Sequence, residues 1–212
     1  MKNNLGVVFA CVLLASQAAA GDRVHEGYKG VDGGVLIFSS GSIGEESGFK
    51  LFYRKVGAPS GYRGFGGDGS IYYDTRSLFI SRSADFKGHE EGQVTTVRLE
   101  PGNYEVYNYQ IYAAGGAGMT LTWGPSHGDF SIPFAIETGK ATYIGDFAGI
   151  RLTAKDWLGA KVTNGGLIVV KDEQARDIPI AQKQMPDLPP VTVSVTDVSK
   201  LGEPALLAKE PN

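Results

Sequence analysis

No apolar run in the body of this chain goes far before glycine or proline interrupts it, and this limits what the chain can build. Such runs are too short for long helices and suit short β-strands. In "GFKLFYRKV" (48–56), Phe49, Leu51 and Tyr53 share one face, while Lys50, Phe52 and Arg54 share the other. In "DFSIPFAIE" (129–137), Phe130, Ile132, Phe134 and Ile136 alternate, and Pro133 lies on the opposite parity. Proline lacks a ladder donor, so this strand is expected at a sheet edge or a bulge. The 30 glycines fall in clusters without a fixed period. They read as turns, not as collagen or a solenoid.

The same pattern predicts strands at 34–40, 70–74, 77–82, 94–99, 103–112, 141–152 and 166–172, with Gly145 and Gly149 as candidate bulges. Pro101-Gly102 suits a type II turn closing 94–99 and 103–112 into a hairpin. "TGK" (138–140) would close a second hairpin between 129–137 and 141–152. In 103–112, Glu105, Tyr107, Tyr109 and Ile111 alternate against Tyr104, Val106, Asn108, Gln110 and Tyr112. Both faces are partly apolar, which predicts a central strand.

"DEQARDIPIAQKQMPDLP" (172–189) is the only persuasive helical segment. Asp172 could cap it, Pro179 should kink it or start a second short helix, and Pro186 ends it. Residues 190–198 form a further strand, and residues 199–212 read as a loose tail. The fold class is therefore all-β, an antiparallel β-sandwich with one C-terminal helix and a loose tail. The expected division is 1–20 as a signal peptide, 21–189 as the sandwich with its late helix, and 190–212 as strand and tail.

The signal peptide is read from Lys2, the apolar run from Leu5 to Ala15, and Ala18-Ala19-Ala20 before a cut at Gly21. The run is too short to span a bilayer, and no later stretch suits a transmembrane helix. The expected location is secreted or periplasmic. Cys11, the single cysteine, offers lipid anchoring as the alternative, although bulky Phe9 stands two residues before it. After cleavage no cysteine remains, so a core rather than disulfides must hold the domain. Losing Lys2 leaves 19 basic against 23 acidic residues. With no tracking cluster of Lys or Arg, nucleic acid and anionic membrane surfaces are disfavoured as partners.

"VRLEPGNYEVYNYQIY" and "FAIETGKATYIGDF" carry a resemblance. A strand, then Leu-x-Pro-Gly-x-Tyr, then a strand resembles carboxypeptidase-regulatory-like and transthyretin-like sandwiches. With the second hairpin and the late polar helix, residues 35–189 are similar to bacterial envelope and lipoprotein-type β-sandwich domains of unknown function. The resemblance implies a secreted scaffold or binding module, and it carries over no catalytic residues. Many such relatives are lipid-anchored; this chain lacks a good lipobox.

Few residues point to reaction chemistry. His89, Glu91, His127 and Asp129 are the candidate metal ligands if two loops converge; the bland reading is solvated turns, and no cofactor is expected. No G-x-S-x-G frame is present, and "ETGKAT" lacks the first glycine of a phosphate loop. The aromatic residues carry more. Tyr62, Arg63, Phe65 and Asp68 in the glycine loop, with Tyr73, form a candidate ligand surface, because flat rings suit sugar C–H groups. The bland reading is rings that fill the core. The leading expectation is a non-enzymatic binding or structural module of the cell envelope acting through protein contacts. The alternative is a carbohydrate- or peptidoglycan-binding domain; a metal-dependent or serine hydrolase comes third. The expected partner is an envelope protein or a cell-wall saccharide.

Overall fold

The computed structural model describes residues 24–25, 27–44, 48–57, 69–73, 84–114, 120–125 and 128–211. Residues 1–20, expected as a signal peptide and including Cys11, most of the glycine loop, the strand expected at 77–82 and His127 lie outside them. The described residues form twelve strands, one α-helix and a 3₁₀ turn. The strands are β1 (Val24–His25), β2 (Gly34–Ile43), β3 (Gly48–Lys55), β4 (Gly69–Tyr73), β5 (Glu90–Leu99), β6 (Gly102–Ala114), β7 (Thr120–Trp123), β8 (Ile132–Ile136), β9 (Ala141–Lys155), β10 (Lys161–Lys171), β11 (Val191–Val193) and β12 (Leu206–Leu207). The helix α1 spans Gln174–Gln184.

Two sheets face each other, as an all-β sandwich requires. One runs β1-β5-β2-β9-β10-β12 with β11 on β9; the other runs β4-β3-β6-β7 with β8 on β6. Their facing sides form one core that includes Leu36, Phe38, Leu51, Val106, Phe134 and Phe147. The outer face of the larger sheet is apolar as well. Val35, Ile37, Val94, Ala141 and Tyr143 pack there beneath Ala181, Ile180 and Met185 of the helical segment. The molecule thus has three layers, with the larger sheet in the middle.

Several local expectations hold. β6 is central, flanked by β3 on one side and β7 and β8 on the other. β8 is an edge strand, with Pro133 opposite Glu105 and directed outward. Gly145, at φ 118°, marks a bulge where β2 and β9 slip register between Ile37 and Ser39. Gly149 sits in regular pairing.

The hairpin expectations fail. β5 belongs to one sheet and β6 to the other, so Pro101-Gly102 is a corner between sheets. Gly102 has φ 153°, far from the roughly +80° of a type II turn. Tyr104 Oη closes this corner by donating to Glu100 O at 2.8 Å. The link 138–140 likewise carries the chain from β8 across to β9. The larger sheet is also mixed: β2 runs parallel to β9, as β11 does to β9, β1 to β5 and β12 to β10, while the smaller sheet is antiparallel throughout.

The faces of β6 need correction too. A register shift opposite Phe52 and Tyr53 leaves Tyr107 as an extra residue. Such a bulge reverses parity, so Tyr104 and Val106 before it and Tyr109 and Ile111 after it all face the core. Pro179 lies inside one continuous helix rather than starting a second. Asp172 acts at the helix start, accepting from Gln174 N at 3.0 Å. The tail is docked, not loose: β12 pairs with β10, and Val198 and Leu206 are core residues. Glu203 is buried and accepts from Tyr109 Oη at 2.9 Å.

Candidate functional site

The densest polar chemistry lies between the larger sheet and α1. Ser39 of β2, Asp146 of β9 and Lys171 of β10 are register neighbours across three adjacent strands. The bulge at Gly145 places Asp146 there. Were Gly145 in regular alternation instead, Asp146 would be aimed at the apolar core. Arg176 and Asp177 descend from the first turn of the helix, and Glu90 enters from the start of β5. Gly41 makes room for Glu90: a Cβ there would stand 2.4 Å from Glu90 Oε1. Gly92 makes room for Phe86 in the same way, and the Arg176 guanidinium lies 3.5 Å above the Phe86 ring centre.

Three buried carboxylates meet two cations. Glu90 Oε2 lies 2.8 Å from Lys171 Nζ and 3.6 Å from Arg176 Nη1. Arg176 also binds Asp146 Oδ1 at 3.0 Å and Asp177 Oδ1 at 2.7 Å. Burial opposes the Arg176 charge, but the hydrogen bond to Asp177 and the surrounding carboxylates outweigh it and raise its pKa. Lys171 behaves alike, with Glu90 as its main partner.

Ser39 fixes the proton count. Its Oγ lies 2.6 Å from Asp146 Oδ1 and 2.5 Å from Asp177 Oδ2. A hydroxyl carries one hydrogen, so one of these short contacts needs a carboxyl proton. Asp177 already accepts from two other donors, Tyr143 Oη at 2.7 Å and Arg176 Nε at 2.7 Å. Asp146 is the carboxyl of the pair whose hold on a proton is raised. Burial, then the charge of Glu90, pushes it up to about 7 against the pull of Ser39 and Arg176. When Asp146 is protonated it can donate to Ser39 and Ser39 to Asp177, with Tyr143 donating to Asp177 from the other side. Burial and Asp177 raise the Tyr143 hydroxyl, keeping it a donor. Ser39 has no exposed surface, and only Lys171 and Arg176 reach solvent among these groups of the sheet and helix. The cluster can hold a proton and fasten the helix; it presents no nucleophile to an incoming substrate.

The sequence-proposed residues scatter. Tyr62, Arg63, Phe65 and Asp68 lie outside the described residues. Tyr73 is 9% exposed, its ring stacks on Phe49, and its hydroxyl donates to Glu91 O at 3.0 Å. Its placement is that of a core ring. His89 Nε2 meets Glu210 Oε2 at 2.7 Å, and Glu91 lies 3.7 Å from Lys87 Nζ. Asp129 accepts from Arg54 Nη1 at 3.3 Å and Asn108 Nδ2 at 3.0 Å. His89 and Asp129 therefore serve different neighbourhoods. Among the described residues, no three His, Cys, Asp or Glu side chains are grouped to hold a metal.

Two surfaces offer binding chemistry. The outer face of the smaller sheet is aromatic and cationic. Tyr72, 40% exposed, stacks with Tyr112 at 6.4 Å, Lys50 lies over Phe52, and Arg54 lies over Tyr107. The second is a mainly apolar cleft of about 790 Å³ walled by the C-terminal segment, including Val198, Pro204, Leu206, Leu207 and Pro211. Three of its polar side chains have partners: Glu203 has Tyr109, Glu210 has His89, and Ser199 Oγ donates to Asp197 at 2.5 Å. Sequence reasoning passes over this cleft because its walls lie in the segment that reads as a tail.

No helix among the described residues is long and apolar enough to cross a membrane. Comparison with protein-family models, curated proteins and solved structures gave no match.

Proposed function

We propose that this chain is a secreted or periplasmic, non-enzymatic binding module of the cell envelope that works through protein contacts. The observation that supports this is the C-terminal cleft. It has the size of a binding cavity, mainly apolar walls, and the side chains of Ser199, Glu203 and Glu210 occupied within the protein itself. Such a receptacle suits an apolar side chain or a short segment of a partner.

A photo-crosslinking residue at Ala208, compared with one at exposed Thr192, tests the reading in the native envelope. A discrete protein adduct from 208 and none from 192 is the expected result. Equal labelling from both positions, or none from either, removes the cleft as a contact site.

The Tyr72–Tyr112 pair favours a second reading, a saccharide site on the outer face of the smaller sheet. A saccharide that binds only the folded state adds about 2.7 kcal/mol at a hundred times its dissociation constant. A thermal shift with cell-wall fragments that disappears in Tyr72→Ala would move the function to this face.

A further inference from the structure

β9 and β10 run on past the rest of their sheet. The β2 partner of β9 ends at Ile150, and β12 meets β10 only at Ile168 and Val169. Among the described residues, 151–155 take their strand partners only from 161–166. They form an arm about 17 Å long at the usual strand rise.

The arm's tip is tightly built. Asp156 Oδ1 accepts from Leu158 N at 2.9 Å and Ala160 N at 2.8 Å, and Gly159 takes φ 81°. This turn presents Trp157, 90% exposed, and Leu158, 70% exposed, side by side. Leu152 and Val162 extend the apolar surface down one side of the arm, Val162 directly opposite Ala154. Lys155 and Lys161 stand opposite each other just behind the tip, on the other face. With Asp156 in the turn between them, residues 155–161 carry two positive charges against one negative, a local positive excess on an acidic chain.

We propose that this arm docks on an anionic phospholipid surface, Trp157 and Leu158 entering the headgroup boundary and Lys155 and Lys161 meeting the phosphates. Trp suits that boundary because its ring is apolar and its N–H is polar. Lysine stems lie along apolar surface while the ammonium stays at the headgroups. The chain's net charge argues against membrane surfaces only as an average; the arm is a local exception. Area also favours lipid over protein. The two tip residues offer about 300–400 Å², well short of the roughly 800 Å² per partner of a stable protein interface. A second copy is disfavoured because two arms together would crowd four lysines. This inference is independent of what the C-terminal cleft binds.

The test is flotation of the purified protein with vesicles of phosphatidylglycerol and phosphatidylethanolamine, against phosphatidylcholine alone, with tryptophan emission followed in parallel. The expected result is binding to the anionic vesicles that weakens with salt, with a blue shift absent from Trp157→Phe. Lys155→Gln with Lys161→Gln should weaken binding about thirty-fold, about fivefold for each lysine. Trp157→Ala with Leu158→Ser should abolish it, while circular dichroism shows both variants folded. No flotation with either vesicle, equal flotation with both, or binding unchanged in the arm variants would each overturn the proposal.

Discussion

Replacing Asp146 by asparagine should alter how stability depends on pH. In the folded protein Asp146 is pushed up to about 7, from an ordinary value of 3.8. The groups facing it are Ser39, Glu90, Lys171, Arg176 and Asp177, from four different elements. Between these two pKa values the folded state holds a proton that the unfolded chain has released. Wild-type stability therefore falls as pH rises from about 4 to 7, by about 1.4 kcal/mol per unit, and levels off above 7. Asparagine does not titrate, and its amide can donate to Ser39 as the protonated acid does. Going from pH 5 to pH 8, wild type should lose about 2–3 kcal/mol relative to Asp146→Asn. For a domain of this size that is about 5–10 °C in Tm. Urea unfolding of both proteins at pH 5, 6.5 and 8, followed by circular dichroism, measures it. Parallel pH profiles would refute the argument. A variant that loses more at pH 8 than at pH 5 would refute it more sharply, because Asp146 would then be an ionised partner of Arg176 and Lys171.

Three further outcomes rest on particular contacts. Gly145→Ala puts a side chain at φ 118° with Lys171 O only 3.2 Å away, and should cost about 1–3 kcal/mol by denaturant unfolding. Tyr109→Phe removes the hydroxyl that meets Glu203 and should cost about 1–3 kcal/mol; native-state hydrogen exchange should show the loss first around 203–207. Trp157→Ala should leave unfolding stability within about 0.5 kcal/mol, since the ring is exposed; a larger loss would mean that the tip packs on the protein itself.

Strand positions were legible where alternation was clean, as in β3 and β8, because a half-buried strand writes its faces into the sequence. Sheet membership was not. Pro101-Gly102 and 138–140 have the turn chemistry of a hairpin, and a corner between two sheets uses the same residues. The Tyr107 bulge was invisible because one extra residue leaves the composition of β6 unchanged while reversing its parity. The buried cluster had no local spacing to find, as its members come from residues 39, 90, 146, 171, 176 and 177. One signal was present: Asp146 is a lone acid inside the apolar run "ATYIGDFAGI", where an ionisable group needs a reason. The docked tail was missed because β12 is two residues long, and its hold on the protein comes from Leu206 and the Glu203–Tyr109 contact.

The parallel pairing of β2 with β9 also bears on how the chain becomes folded. Ser39 and Asp146, neighbours in that pair, are 107 residues apart, and β11 and β12 are placed later still. In the larger sheet β1, β2 and β5 can pair first, but the other edge of β2 waits for β9, and the strips that cover β9 and β10 arrive last. Pairings of such long range make for slow assembly and for unpaired strand edges in the interval. Ending the chain before 191 should yield a protein that collapses with β9 and β10 uncovered, prone to associate with other chains rather than close its own sheet.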